Sequence, residues 1–327
     1  MLIRFFGSSF LIQYIALVLI NGLLWLPAFL HPVPMPAENS SLTPFYHLVL
    51  RLMENVPYLI APLAFILVLM QSFILNSILA FHDIIPKNSL AGAFTYTVLL
   101  SSVPGGLVLY PALFALFLLI FTIHWLFRMS DEEENLIAAL SIPLLISVAS
   151  FFYFPAIFLM AFLWMSYMVF RIFKWREWII SLIGLALPFI YLFTVYLWTD
   201  KSEVYLEALI SFFRGFSPSQ IQAGPVQLAI LAVITFLMLI PAMVRILPSL
   251  GSYNINIRKK FAAIAWLVPL TAAMTLAGGT FALNTLYILP ATFFISGYFS
   301  LKKKSWFNET VMLLLLSLIA LQHILTR

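Results

Sequence analysis

Apolar residues run along this chain in long stretches separated by short polar connectors. A helix crossing a hydrocarbon layer needs about 20 such residues, within a range of roughly 17 to 25. Stretches of that kind lie near 10–30, 57–81, 89–104, 106–127, 135–153, 155–172, 178–199, 226–246, 261–279, 282–300 and 309–325. The pattern predicts an all-α polytopic transmembrane helix bundle of about eleven spans, forming a single transmembrane domain over 1–327. The third stretch is short and ends in Ser101-Ser102-Val103-Pro104-Gly105-Gly106, a turn that Pro and Gly enforce. A re-entrant hairpin of spans three and four is the alternative there, and it preserves the sidedness of everything after it.

The connectors carry their own pattern. Phe151-Phe152-Tyr153-Phe154-Pro155 must reverse the chain between spans five and six, and Pro155 suits the first turn of the helix that follows. Prolines inside spans, such as Pro143, Pro188 and Pro269, predict kinks in a packed, irregular bundle. The two longest connectors, 31–56 and 200–225, each hold an amphipathic segment suited to lying on a membrane surface. Thr43 to Met53 places Phe45, Leu48, Val49 and Leu52 on one face, and Val204 to Phe216 does so with Tyr205, Ala208, Leu209, Phe212 and Phe213.

Charge gives the bundle a direction. With the N-terminus cytoplasmic, only Arg51, Lys201, Arg214 and Arg327 of the 17 Lys and Arg residues fall outside. That bias orients the protein in a bacterial inner membrane, with 31–56 and 200–225 on the outer face. Composition agrees, since 63% of residues are hydrophobic and 9% charged, whereas a soluble domain carries roughly a quarter charged residues. The net charge of +5 resolves into this one-sided bias, which removes the case for a nucleic-acid partner. The chain has no cysteine, excluding disulfides, thiolate catalysis and Cys-based metal sites. The first apolar run is too long for a signal-peptide core of roughly 7 to 15 residues, so it reads as a retained span.

Candidate chemistry is sparse. No Asp, Glu, Lys or Arg falls at the centre of a predicted span, which argues against an ion-coupled pump with an acidic relay. Asn21, Gln71, Asn76 and Asn284 enter the spans, as do Ser77, Thr95 and Thr97; they serve either as hydrogen bonds between helices or as the lining of a cavity. His124 and His323 lie near span ends, and neither a metal site nor a cofactor is implied. The acidic run Asp131-Glu132-Glu133-Glu134 opens the fifth span, where it suits the positive helix N-terminus. Arg258-Lys259-Lys260 and Lys302-Lys303-Lys304 face anionic membrane lipids, and Trp175-Arg176-Glu177-Trp178 joins two interfacial aromatics to an ion pair. Sugar transfer from a lipid-linked donor needs a carboxylate to deprotonate the acceptor and cations to hold phosphate. Glu38 or Glu54 could be that catalytic base, with Arg51 or Arg214 on the phosphate or headgroup; solvated loop charges are the simpler reading.

Two resemblances follow from these strings. The Phe151–Pro155 turn, Arg171 before Trp175-Arg176-Glu177-Trp178, and Gly184 with Pro188 resemble the LFYFP-like turn, FxWREW-like loop and G-x-x-x-P helix of a family of polytopic inner-membrane proteins of Bacteroidota, a domain of unknown function. Asn76 to Asn88 leading into Leu99-Leu100-Ser101-Ser102-Val103-Pro104, and Ile288-Leu289-Pro290, extend that likeness over most of the chain. A looser similarity is to GT-C-type membrane glycosyltransferases, which also follow span one with an outer surface-lying helix. That likeness implies an envelope-glycan or lipid-linked-saccharide handling protein; only Glu38 stands near the place of that class's usual acidic pair. The residues equally allow a non-catalytic subunit or scaffold of a cell-envelope machine for secretion, motility or assembly, bound to other membrane subunits. A lipid or passive small-molecule transporter is the third reading.

Overall fold

A backbone threading so many apolar side chains finds few external hydrogen-bond partners, and the helix satisfies N–H and C=O groups within each segment. The computed structural model describes residues 5–31, 34–36, 42–103, 107–131, 136–214, 230, 233–249, 251, 253–277, 285–301 and 306–325, and all regular structure among them is helical. In chain order the helices are α1 (Leu11–Leu30), α2 (Pro44–Met53), α3 (Ile60–Phe81), α4 (Ala91–Ser101), α5 (Pro111–Asp131), α6 (Leu136–Ser150) and α7 (Leu159–Phe170). Then come α8 (Trp175–Trp198), α9 (Ser202–Arg214), α10 (Ile240–Ser249), α11 (Ile255–Ala277), α12 (Ile288–Leu301) and α13 (Trp306–Leu325). A π-helical stretch, Val233–Leu239, leads into α10, and short 3-10 turns precede α3, α7 and α12. Four helical segments are long and apolar enough to cross a membrane: Leu11–Leu30, Pro57–Phe81, Pro111–Asp131 and Trp175–Trp198.

Contacts between connectors sort the described chain into two ends. At one end the Leu90 amide donates to the Phe6 carbonyl, His82 meets His124, and Lys260 meets Asp131. At the other, the Tyr46 hydroxyl donates to the Leu109 carbonyl, the Phe45 amide to Phe151, and Phe154 packs on Phe212. The chain therefore leaves α3 at the first end and reaches Leu109 at the second before α5 returns it. That path takes it along α4 towards the end where Leu109 meets Tyr46. α4 has only 11 residues, about 16 Å at helical rise, and every one of them is buried. Neighbouring parts of the protein therefore surround it.

Two packing devices hold the helices close. Gly92 on α4 lies so near α3 that an added Cβ would stand 2.9 Å from the Asn76 side-chain oxygen. Gly184 on α8 is tighter still: a Cβ there would meet Pro143 Cγ at 2.7 Å and the Leu140 carbonyl at 2.9 Å. Glu177, Ser181, Gly184 and Pro188 are the buried residues of α8 and form a single stripe at helical spacing, while most of its remaining surface is uncovered. The amphipathic segments of the long connectors become α2 and α9. On α2, Tyr46 is fully buried while Phe45, Leu48 and Leu52 stay exposed, as on a helix lying in an interface.

Candidate functional site

Of the polar residues placed in the spans, Gln71, Asn76 and Asn21 reach other elements, whereas Ser77, Thr95 and Thr97 donate to carbonyls of their own helices. Gln71 donates to the Leu113 carbonyl at 2.8 Å and accepts from the Tyr96 hydroxyl at 2.7 Å, linking α3, α4 and α5. Asn76 donates to the Ser89 carbonyl at 2.9 Å and accepts from the Ala93 amide at 3.1 Å. Asn21 Oδ1 accepts from the Ser101 hydroxyl at 3.5 Å, and that hydroxyl accepts from the Trp25 indole at 3.3 Å, while the Asn21 amide nitrogen is buried without a partner among the described residues. Asn284 lies outside the described residues. Of the outer groups, Glu38 is also outside them, as is the side chain of Arg214; Glu54 and Arg51 close α2 and are exposed.

The first end of the bundle holds the densest chemistry. Lys260, in the second turn of α11, is 4% exposed, and its ammonium donates to Asp131 Oδ2 at 2.8 Å and to His82 Nδ1 at 3.3 Å. With Nδ1 an acceptor, the neutral tautomer of His82 carries its proton on Nε2, which lies 3.3 Å from His124 Nδ1 and donates to it. Burial, with the Lys260 ammonium and His124 beside it, lowers the His82 pKa to about 4 against the opposing pull of Asp131. Phe127 packs edge-on against His82 and lies 5.8 Å under the Lys260 ammonium. His124 in turn lines an apolar groove of about 410 Å³ between α3 and α5, with Ser77 and Phe81.

Asp131 belongs to a second feature as well. A cavity of about 400 Å³ opens beside it, walled by Ser130, Asp131, Arg171, Lys174, Glu177 and Lys259, with Phe170 and Phe173 among its apolar surfaces. Four separate chain segments supply these walls: the end of α5, the α7–α8 connector, the first turn of α8 and the start of α11. Arg171 holds φ 62°, ψ 38° at the end of α7; its amide donates to the Met168 carbonyl, and the Ile172 amide to Tyr167. This is a Schellman ending whose left-handed position glycine usually fills. The Trp178 indole clamps the connector by donating to the Ile172 carbonyl at 3.1 Å. Among the described residues Arg171 and Lys259 make no ion pair, whereas Lys260 is committed to Asp131.

These observations correct three expectations. Asp131 does not open the fifth span: it ends the helix before, and its carboxylate is held by a lysine 129 residues away. Lys260 does not face lipid headgroups, because it is turned into the bundle while Lys259 lines the cavity and Arg258 is exposed. Glu177 forms no ion pair with Arg176; it is 3% exposed, and its Oε2 has no hydrogen-bond partner among the described residues. His82, absent from the sequence-based candidates, joins the network only through tertiary contact. No cluster of three His, Asp or Glu residues with metal-binding geometry exists among the described residues.

Fold and site together define an all-helical bundle, four of whose helical segments can cross a membrane, with a charged cavity at the end where buried Lys260 meets Asp131. Compared with protein families, curated proteins and solved structures, the chain matches none.

Proposed function

We propose that this is a multi-pass protein of a bacterial inner membrane, with eleven crossings and its N-terminus in the cytoplasm, which handles a phosphate-bearing lipid. The charged cavity, at the cytoplasmic end in this orientation, holds the lipid's headgroup. The observation that carries the reading is the pair Arg171 and Lys259, two cations without ion-pair partners among the described residues, on the wall of a cavity of about 400 Å³. Guanidinium and ammonium groups at a membrane surface attract phosphate, each contributing roughly 1 kcal/mol. Exposed Phe173 and Trp175 at the same connector suit the depth of the headgroup layer. A lipid-linked saccharide is one such lipid, but sugar transfer at the outer face has only exposed Glu54 and Arg51 in its support among the described residues.

Native mass spectrometry of the detergent-extracted protein tests this directly. Wild-type protein is expected to retain phospholipid adducts that Arg171→Gln/Lys259→Gln loses. Spectra with bound protein subunits and no lipid would instead favour the scaffold reading. The absence of cysteine allows the sidedness to be tested with single substitutions. Tyr58→Cys, exposed at the opposite end, should react with an impermeant thiol reagent in intact spheroplasts, and exposed Trp175→Cys only after permeabilisation. The reverse pattern would invert the orientation and the reading with it.

A further inference from the structure

Resting on that reading, we infer that the headgroup is zwitterionic and carries a primary ammonium, as in a phosphoethanolamine lipid: Glu177 takes the ammonium, while Arg171 and Lys259 take the phosphate. The cavity is not uniformly basic. Its described wall carries three cationic side chains, Arg171, Lys174 and Lys259, and two carboxylates, Asp131 and Glu177. Asp131 is already held by Lys260 at 2.8 Å. Glu177 is different: it is 3% exposed, it lines the cavity, and its Oε2 finds no donor among the described residues. The Ser130 hydroxyl on the same wall is also buried without a partner among them.

A carboxylate withdrawn from water needs a cation or several donors close by. Position in the first turn of α8 supplies part of that through the helix dipole, but the effect is modest. A second anion brought into the cavity alone would meet Glu177 as a like charge. A ligand that carries its own ammonium next to its phosphate meets both signs in place, and two of the ammonium's three protons find acceptors in Glu177 Oε2 and Ser130 Oγ. A quaternary choline head offers charge without those protons, and a glycerol head offers phosphate without the cation.

The test is retention of added lipids by full-length protein in detergent, read by native mass spectrometry with phosphatidylethanolamine, phosphatidylcholine and phosphatidylglycerol of matched chains. Phosphatidylethanolamine is expected to be held about tenfold more tightly than phosphatidylglycerol, a difference of about 1.4 kcal/mol. Glu177→Gln should erase that preference without abolishing lipid binding. Phosphatidylglycerol held as tightly as phosphatidylethanolamine by wild-type protein would overturn the inference and leave the phosphate-lipid reading intact, even where the variant fails to fold. Loss of all three lipids would overturn both. Free phosphoethanolamine binding as tightly as the lipid would overturn a membrane lipid as the source of the headgroup.

Discussion

Replacing Arg171 by glycine separates the local cost of its backbone from the use of its side chain. The residue sits at φ 62°, ψ 38°, a conformation that costs an L-residue roughly 1–2 kcal/mol. Glycine adopts it without that cost but loses more entropy on folding, roughly 0.5–1 kcal/mol. Arg171→Ala keeps the left-handed strain and discards the same guanidinium. Glycine should therefore exceed alanine in stability by about 0.5–1 kcal/mol, a rise of a degree or two in thermal midpoint for a chain of this size. Lipid binding should fall alike in both, because each variant loses a charge-assisted contact to phosphate that contributes about 1.5–3 kcal/mol, or roughly 10- to 100-fold in affinity. Thermal unfolding followed by tryptophan fluorescence, in detergent with and without added phospholipid, reads both quantities in one preparation. Glycine melting below alanine would refute the backbone argument. Either variant keeping the wild-type lipid shift would refute the assignment of Arg171 to the phosphate.

Three further outcomes follow from the packing and the charged network. Asp131→Asn leaves buried Lys260 without its carboxylate and should cost about 3–5 kcal/mol, much of which Asp131→Asn/Lys260→Met should recover; an additive double variant in thermal unfolding would show the pair to be uncoupled. Gly184→Ala drives a Cβ to 2.7 Å from Pro143 and should destabilise by about 1–3 kcal/mol, while Gly22→Ala, with nothing within 4 Å, should be neutral or stabilising by up to about 1 kcal/mol. Equal effects in thermal unfolding would remove the close α6–α8 approach from the argument. His82 is harder to protonate in the folded protein than in the unfolded chain, so its contribution to stability is complete above pH about 6.5 and declines towards about 4. His82→Asn should flatten that part of the stability-versus-pH curve, and an unchanged slope would assign the acid sensitivity to other groups.

Element positions were legible in the sequence because apolar length alone marks them. The expected 57–81 and 309–325 correspond to α3 and α13 within a few residues, and both amphipathic connectors form helices where their spacing placed them. Depth was not legible. The stretch 89–104 has the composition of a crossing, yet its helix is half the length of one and wholly enclosed, a fact set by which neighbours surround it. The number of crossings likewise depends on how far the shorter helices are covered by protein, which hydropathy does not encode.

The site is hidden for a different reason: Lys260 and Glu177 fall in connectors by hydropathy, while helical spacing turns them inward. Lys260, Ala263, Ile264, Leu267, Thr271 and Met274 repeat at three- and four-residue intervals, and all are buried along one face of α11. Continuing that face one turn towards the N-terminus would have moved Lys260 from the surface to the core. Glu177 opens the stripe completed by Ser181, Gly184 and Pro188 in the same way, so the face that packs α8 against its neighbours also places a carboxylate on the cavity wall. What no spacing could give is the meeting of Asp131 with Lys260 across 129 residues, or of either with His82. That meeting makes Asp131 common to the histidine pair and the cavity wall. A cation that drew Asp131 from Lys260 would leave a buried ammonium facing the Nδ1 of His82 alone, so ligand chemistry at the cavity and the packing of α3, α5 and α11 are linked through one carboxylate.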